Sequence, residues 1–143
     1  MAFTFFFTRC PLPTYCPLMN RNFAQTRKLL LATPNTPINW QFLSISFDPD
    51  FDHPDVLAYY GNFYRGGNAD RWLFASAPPD SLAALGSRLG LMVMRQDSNI
   101  THNLRTVVVD PQGRLYRQFN DNQWTPRQLV DAMLEAAKLP SSK

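Results

Sequence analysis

The chain opens on a run of apolar, aromatic and threonine residues from Phe3 to Thr8. A short continuous run of this kind is typical of a β-strand that is buried on both faces of a sheet. A second strand is predicted at Trp40 to Phe47, and a third, shorter strand at Arg71 to Ser76. The first half of the chain therefore predicts three strands with helical segments between them.

Residues 17–31 predict the first helix, because Met19, Phe23 and Leu30 fall near one face of it. The polar residues that fall largely off that face are Asn20, Arg21, Arg27 and Lys28. The sequence TPNTP at residues 33–37 ends the helix. We therefore expect an apolar stripe that packs on the sheet, with the polar residues turned away from it.

Three more helices are predicted from signals at their ends. They cover residues 54 to about 64, residues 81–89 and a C-terminal segment that begins near residue 125. Gly90 stands directly after the second of these, where glycine commonly ends a helix. Thr125, Pro126 and Gln128 form a capping box with proline at the first helical position. The residues of the last helix that we expect to face the core are Leu129, Val130, Met133 and Leu134.

The second half of the chain predicts a closing β-hairpin. Residues 104–109 and 114–119 flank the turn DPQG. Residues 91–103 are expected to be a loop, with room for a short strand at LMVM. Three strand–helix pairs are thus followed by a hairpin of two strands and a last helix. This order predicts an α/β fold with three α/β/α layers and a mixed, mainly parallel sheet.

Composition adds few constraints on function. The chain has 143 residues, 45% of them apolar, and a formal net charge of +3, which suits one globular domain. Its lysines and arginines are scattered, so no nucleic-acid partner is expected, and no apolar stretch is long enough to span a bilayer. Met1 and Ala2 lead directly into the first predicted strand. We therefore expect residues 1–143 to be a single domain that lacks its N-terminal part, including any signal or anchor.

Both cysteines lie in one segment, FTRCPLPTYCPLMN, directly after the first strand. Cys10 and Cys16 are each followed by proline, and Pro13 lies between them, so the segment cannot be regular helix. Pro17 suits the first turn of a helix, which predicts Cys16 at a helix N-terminus and Cys10 in the loop before it. The loop can then bring the two sulfurs together, and the helix start favours a thiolate.

Two interpretations of the cysteine pair stay open at this point. One is a structural disulfide or two buried free thiols, since structural disulfides are common in secreted domains. The other is a reactive or metal-binding pair, which the position after a central strand favours. A cysteine pair just after the first strand of a βαβ unit also points to a thioredoxin-like fold.

Two histidines and an aspartate are candidates for further groups at the same edge of the sheet. His102 precedes the strand LRTVVV, and His53 follows the second strand, at the edge where ligands gather in open α/β sheets. Two thiolates with one imidazole form a soft donor set that suits copper in either oxidation state. Asp48, in FDPDFD, is either the aspartate of an Asp-Pro turn or a carboxylate near the metal. A solvated or capping residue is the alternative for His53.

In combination, these features resemble the SCO/SenC family, thioredoxin-like copper-binding proteins needed to assemble the binuclear copper centre of cytochrome c oxidase. The resemblance covers nearly the whole chain. The motifs that carry it are FFFTRCP, a second CP at a helix start, S-x-S-x-D-P-x-x-D-x-P, a lone His before a strand, and the D-P-x-G-R-L hairpin.

The resemblance implies that Cys10, Cys16 and His102 are copper ligands and that Asp48 lies close to the site. Two features depart from the family pattern. The usual family spacing has three residues between the cysteines, whereas this chain has five, Pro11 to Tyr15. The family carries an N-terminal strand pair and a membrane tether ahead of the first strand, and we expect both to be missing here. By resemblance, we expect a location in the periplasm or an equivalent space outside the cytoplasm.

The leading functional prediction is a copper-binding, metallochaperone-like protein that uses Cu(I), Cu(II) or both. Its partner would be the copper-bearing subunit of cytochrome c oxidase or another copper donor or acceptor. The alternative is a thiol-disulfide oxidoreductase that reduces the cysteines of a copper-acceptor protein. In this alternative Cys10 attacks and Cys16 resolves the mixed disulfide. Two weaker alternatives are a peroxide-reducing relative and a domain whose structural disulfide supports only a binding role.

Overall fold

The computed structural model describes residues 1–97 and 99–140, in which seven strands and four helices follow one another in mixed order. The strands are β1 Ala2–Phe6, β2 Phe42–Ser46, β3 Trp72–Ser76, β4 Val93–Gln96, β5 Asn99–His102, β6 Thr106–Val109 and β7 Leu115–Phe119. The helices are α1 Cys16–Ala32, α2 Pro54–Arg65, α3 Pro79–Leu89 and α4 Pro126–Ala137. None of the described helices is both long and apolar enough to cross a membrane.

Five of the strands form one mixed sheet in the order β3-β2-β1-β6-β7. The first three run parallel, β6 runs antiparallel to β1, and β7 runs antiparallel to β6. Ala2 pairs with both Phe42 and Val108, so β1 is the central strand. The predicted mainly parallel α/β sheet with an antiparallel closing pair is confirmed. Its parallel strands end at one edge, from which the cysteine segment emerges.

Strand β1 is buried along its whole length, as its sequence predicted. Its side chains contribute to two apolar clusters. Ala2 belongs to the cluster under α1 and α4, which also contains Phe23 and Trp72. Phe5 and Phe7 belong to the cluster on the side of α3. The central strand is therefore held from both sides, which gives the segment that follows it a rigid origin.

The expectation of a loop at residues 91–103 is wrong for most of that segment, and the short strand allowed at LMVM, residues 91–94, overlaps β4 at residues 93 and 94. Strands β4 and β5 pair antiparallel as a separate two-stranded ribbon, in which Val93 stands opposite His102. Most side chains of the ribbon are exposed, so it lacks the apolar alternation by which half-buried strands are recognised. Ser98, between the two strands, lies outside the described residues.

The prediction that Asn20 and Arg27 turn away from the packed face of α1 is also wrong. Asn20 is fully buried, accepts a hydrogen bond from Ser44 Oγ at 3.1 Å and donates to the hydroxyl of Tyr60 at 3.3 Å. Arg27 is buried and donates to the carbonyl oxygen of Arg65. A buried polar side chain is tolerated when it is hydrogen-bonded, and partners distant in sequence leave no local pattern.

The ends of several elements differ slightly from the prediction. Trp40 is buried but precedes β2, which begins at Phe42, and α3 begins two residues earlier than expected. The predicted capping box at the start of α4 is confirmed. Thr125 Oγ1 accepts from the Gln128 backbone amide, and the Gln128 side chain accepts from the Thr125 amide at 2.7 Å. Leu134 is only partly buried and packs on the edge of the core.

Candidate metal centre

The segment between β1 and α1 folds back on itself and carries both cysteines. The amide of Cys10 donates to the carbonyl oxygen of Phe7 at 3.2 Å, and that of Tyr15 donates to the carbonyl oxygen of Leu12 at 3.0 Å. Helix α1 then begins at Cys16 with proline in its first turn. Cys10 is half-buried and Cys16 is fully buried, and both are free thiols.

His102 completes a cluster of three donors. It is the last residue of β5 and is 7% exposed. Its Nε2 lies 3.5 Å from the sulfur of Cys16, although the two residues are 86 positions apart. The donor atoms of Cys10, Cys16 and His102 all lie within 4.8 Å of one another. Within residues 1–97 and 99–140, no other trio of His, Cys, Asp and Glu side chains is spaced to hold a metal ion.

The imidazole of His102 is oriented for metal binding through one particular nitrogen. Its Nδ1 lies 2.7 Å from the backbone carbonyl oxygen of Asn103. A carbonyl can only accept a hydrogen bond, so Nδ1 carries the proton and Nε2 keeps a free lone pair on the side of Cys16. The rings of Phe7, Tyr15 and Phe47 contact the imidazole and restrict its rotation. The ligand nitrogen is therefore presented before any metal arrives.

The two thiols differ strongly in acidity. The Cys16 thiol donates a hydrogen bond to Cys10, which lowers the pKa of Cys10 to about 4 despite its partial burial. The same hydrogen bond, together with burial, raises the pKa of Cys16. The expectation that the helix start favours a thiolate is therefore wrong for Cys16, because the hydrogen bond and burial outweigh the helix dipole. At neutral pH the pair therefore holds one proton, on the buried Cys16. Cys10 is then a thiolate, the form that binds metals and attacks disulfides.

Asp48 connects the two segments that carry the donors, without joining the three-donor cluster itself. Its buried carboxylate accepts from Arg9 Nη2 at 2.7 Å, and Arg95 Nη1 lies 3.5 Å from its other oxygen. Arg9 directly precedes Cys10, and Arg95 lies on β4, beside the strand that ends at His102. Arg95 also donates to the carbonyl oxygen of Phe47. One carboxylate thus ties the cysteine loop to the β4–β5 ribbon.

His53 does not lie in the cluster. It is exposed and occupies the N-cap position of α2, where its backbone carbonyl accepts a hydrogen bond from Leu57 N at 2.9 Å. This position matches the alternative in which the side chain is solvated at a helix start. The proposed place of His53 near the metal gains no support from its geometry.

Asp52 is a site residue that sequence reasoning missed. It is fully buried and accepts hydrogen bonds from the backbone amide and hydroxyl of Thr8 and from the hydroxyl of Ser46. The Thr8 amide lies 3.1 Å from its Oδ2. These bonds fix the start of the cysteine loop two residues before Cys10. A second aspartate four positions after Asp48 was a signal that could have identified it.

Fold and site together define a thioredoxin-like protein that carries two thiols and an imidazole at the edge of its sheet. The family model for SCO1/SenC matches residues 1–138. The chain belongs to the SCO1/SenC family, which confirms the resemblance stated from its motifs. A comparison with curated protein sequences gives no significant match.

Solved structures of similar fold lead to the same family. A SCO1/SenC family lipoprotein from Bacillus anthracis superposes with a TM-score of 0.80 at 20% identity, over 96% of this chain and 82% of that protein. Arabidopsis thaliana ScoI with copper bound superposes with a TM-score of 0.77 at 15% identity, over 94% of this chain and 81% of that protein. Bradyrhizobium japonicum ScoI with copper bound superposes with a TM-score of 0.64 at 18% identity, over 94% of this chain and 81% of that protein. At these identities the superpositions establish the thioredoxin-like fold.

Proposed function

We propose that this chain binds one copper ion through Cys10, Cys16 and His102 and transfers it to an acceptor protein. The observation that carries the proposal is the convergence of two sulfurs and an unprotonated imidazole nitrogen within 4.8 Å of one another. Thiolate ligands favour Cu(I), and imidazole is a good ligand for either oxidation state of copper. Two structures of the same fold hold copper, which supports copper as the metal.

The exposure of the three donors suits transfer as well as storage. Cys16 and His102 are buried, whereas Cys10 is half-buried and lies in the loop. An incoming thiolate from an acceptor could therefore replace Cys10 first, while the two buried donors still hold the ion. Such stepwise ligand exchange avoids the release of free copper. The longer loop between the cysteines does not prevent the donors from meeting.

Family membership suggests a copper-bearing subunit of cytochrome c oxidase as the acceptor, with another copper donor or acceptor as the alternative. It also suggests the periplasm or an equivalent compartment. In such an oxidising space the two thiols can form a disulfide. Copper loading would then require that Cys10 and Cys16 first be reduced.

The test is an anaerobic titration of the reduced protein with Cu(I) in competition with a chromogenic chelator. We expect one tightly bound ion and a large loss of affinity in Cys10→Ala, Cys16→Ala and His102→Ala. His53→Ala is the matched control, because it removes the other histidine at an exposed position. Undiminished binding in His102→Ala, or equal losses in both histidine variants, would contradict the three-donor site. A parallel Cu(II) titration followed by electron paramagnetic resonance determines whether the same donors hold the oxidised ion.

A second candidate, thiol-disulfide exchange, is favoured by the low pKa of Cys10. The Cys10 thiolate would attack an acceptor disulfide and release one acceptor thiolate. Cys16 would then lose its proton and attack Cys10, releasing the second acceptor thiolate and leaving a Cys10–Cys16 disulfide. A thiol reductant must restore the dithiol for the next cycle. Against a disulfide-bonded peptide, we expect Cys16→Ser to accumulate the mixed disulfide, whereas Cys10→Ser should not react. Absence of the mixed disulfide would exclude this function.

A further inference from the structure

Two exposed methionines lie at the β4–β5 ribbon, Met94 on β4 and Met92 directly before it. Met92 is 67% exposed and Met94 is 68% exposed, whereas Met19 and Met133 of the same chain are buried. Thioether side chains fill apolar cores well, so two that stand in solvent on one short element contribute little to packing. We therefore consider what their exposed sulfur atoms could bind.

Strand geometry places the two thioethers side by side. Met94 lies on β4 opposite Thr101, and Met92 continues the strand, since its carbonyl oxygen accepts from the Asn103 amide at 3.2 Å. Residues two apart in a strand share a face and lie about 7 Å apart. Each methionine has three rotatable side-chain bonds. The two sulfurs can therefore reach one ion without any change in the backbone.

The chemistry of such a pair is specific. Thioether sulfur is a soft, uncharged ligand that selects Cu(I) over hard cations, and Cu(I) accepts low coordination numbers. We propose that Met92 and Met94 form a second, weaker and solvent-exposed Cu(I) site on the β4–β5 ribbon. The neutral donors make this site weaker than the cluster of two cysteines and one histidine, so an ion held here remains free to move on.

The ribbon that carries this methionine pair also carries His102 of the three-donor cluster. Val93, between the two methionines, stands opposite His102, and Met92 stands opposite Asn103, whose carbonyl oxygen fixes the imidazole. Neighbouring strands are about 4.8 Å apart. The methionine pair therefore lies on the outer face of the element whose inner face carries His102. Its use as an arrival point for Cu(I) bound for the cluster rests on the proposed function, whereas binding at the pair does not.

Binding is tested by nuclear magnetic resonance on protein with ¹³C-labelled methionine methyl groups. Reduced protein is titrated anaerobically with Cu(I), both as wild type and as Cys10→Ser. We expect the Met92 and Met94 methyl signals to shift together and to saturate. In wild type they should shift only after the first equivalent of Cu(I), which the tighter cluster takes up, whereas in Cys10→Ser they should shift earlier in the titration. Met1, Met19 and Met133 serve as controls within each spectrum. Absence of shifts at Met92 and Met94, or equal shifts at the partly exposed Met1, would overturn the proposal.

Replacement by leucine preserves the size and apolar character of the exposed side chains. We expect Met92→Leu or Met94→Leu alone to weaken Cu(I) binding at the pair by at least about tenfold, since one of two metal–sulfur bonds is lost. Binding that is unchanged in either variant would overturn the pair as the site. If the cluster did not bind Cu(I), the methionine signals of the wild type would shift from the first equivalent onward. The titration therefore distinguishes a failure of the cluster proposal from a failure of the methionine proposal.

The relay role is tested by the rate at which the cluster takes Cu(I) from a chelator, measured by stopped flow. In Met92→Leu/Met94→Leu we expect loading to slow several-fold while the affinity of the cluster stays unchanged. An unchanged loading rate would overturn the relay. A loss of cluster affinity would also count against it, because it would show that the methionines act on the structure of the cluster.

Discussion

At the scale of single residues, the unequal environment of two chemically identical side chains determines the chemistry of the cysteine pair. Cys16 is fully buried at the start of α1, and Cys10 is half-buried in the loop. Removing a proton from a thiol is harder away from water, and a thiolate is stabilised by a hydrogen-bond donor. The proton therefore stays on Cys16 and the negative charge stays on Cys10.

The first prediction concerns the pH dependence of Cys10 alkylation. Because the Cys16 thiol stabilises the Cys10 thiolate by a hydrogen bond, the pKa of Cys10 is lowered to about 4. Alkylation of reduced protein by iodoacetamide should stay nearly constant from pH 8 to about pH 5 and fall as Cys10 becomes protonated near its pKa. In Cys16→Ala the donor is lost, so the pKa rises and the same fall should occur at higher pH. A wild-type midpoint near that of an ordinary thiol would contradict the assignment.

The second prediction concerns Asp52, which holds the start of the cysteine loop. Its carboxylate accepts three hydrogen bonds and is fully buried. Asp52→Asn would replace one acceptor oxygen with an NH₂ group, which would face the donors of Thr8 or Ser46 and could not accept their hydrogen bonds. The free energy of unfolding should fall by about 1.5–3 kcal/mol, the range for hydrogen bonds to a charged group. Denaturation by urea measures this, with exposed Asp50→Asn as the matched control. Equal stability of the two variants would contradict the role of Asp52.

At the scale of elements, the metal centre depends on the relation between the cysteine loop and the β4–β5 ribbon. Neither element belongs to the five-stranded sheet, so other contacts must hold each one in position relative to the other. Asp48 provides a common attachment through Arg9 and Arg95, whose side chains are 41% and 49% exposed. Water screens such pairs, which limits their contribution to overall stability. Their effect should appear instead in how well the donors are positioned.

The third prediction follows from this attachment. Asp48→Asn weakens both ion pairs, so the loop and ribbon should hold their donors less firmly, and Cu(I) affinity should fall roughly tenfold, as for other groups that orient metal ligands. Asp110→Asn is the matched control, because Asp110 is also buried and pairs with an arginine, Arg114, in the β6–β7 turn. Chelator competition measures both variants. Comparable losses in the two variants would show that the effect is not specific to the site.

The main helices and strands could be predicted because their signals are local. The run at Phe3 to Thr8, the capping box at Thr125 and the turn at DPQG each involve neighbouring residues. The β4–β5 ribbon could not be predicted in this way. Its two short strands are mostly exposed, and its pairing places His102 against Val93. Of the ribbon's described residues, only Val93, Ile100 and His102 pack inward, and so few residues give too short an alternation of apolar positions to indicate a strand.

At the scale of the whole molecule, the metal centre joins parts of the chain that are far apart in sequence. Cys10 and Cys16 follow the central strand, whereas His102 lies 86 positions after Cys16. The folded sheet brings these segments to one edge. An unfolded chain cannot hold the three donors together, so metal binding and folding are coupled.

The fourth prediction is that Cu(I) stabilises the whole fold. A ligand that binds only the native state adds about 2.7 kcal/mol of stability at a free concentration one hundred times its Kd. The Tm of reduced protein should therefore rise by several degrees with Cu(I), measured anaerobically by calorimetry. Cys10→Ala and protein oxidised to the Cys10–Cys16 disulfide should show no comparable rise, because each lacks the thiolate pair. An equal rise in these controls would place the stabilising ion elsewhere.

The sequence by itself determined the α/β class, the order of the main elements, the capping of α4 and the resemblance to the family. These depend on spacing, turn residues and motifs that neighbouring residues carry. The tertiary structure alone decided that Asn20 is buried, that Asp52 holds Thr8, and that the sulfur of Cys16 lies 3.5 Å from the imidazole of His102. Each of these contacts joins residues distant along the chain, and such contacts follow from how the sheet and helices pack together rather than from any local pattern.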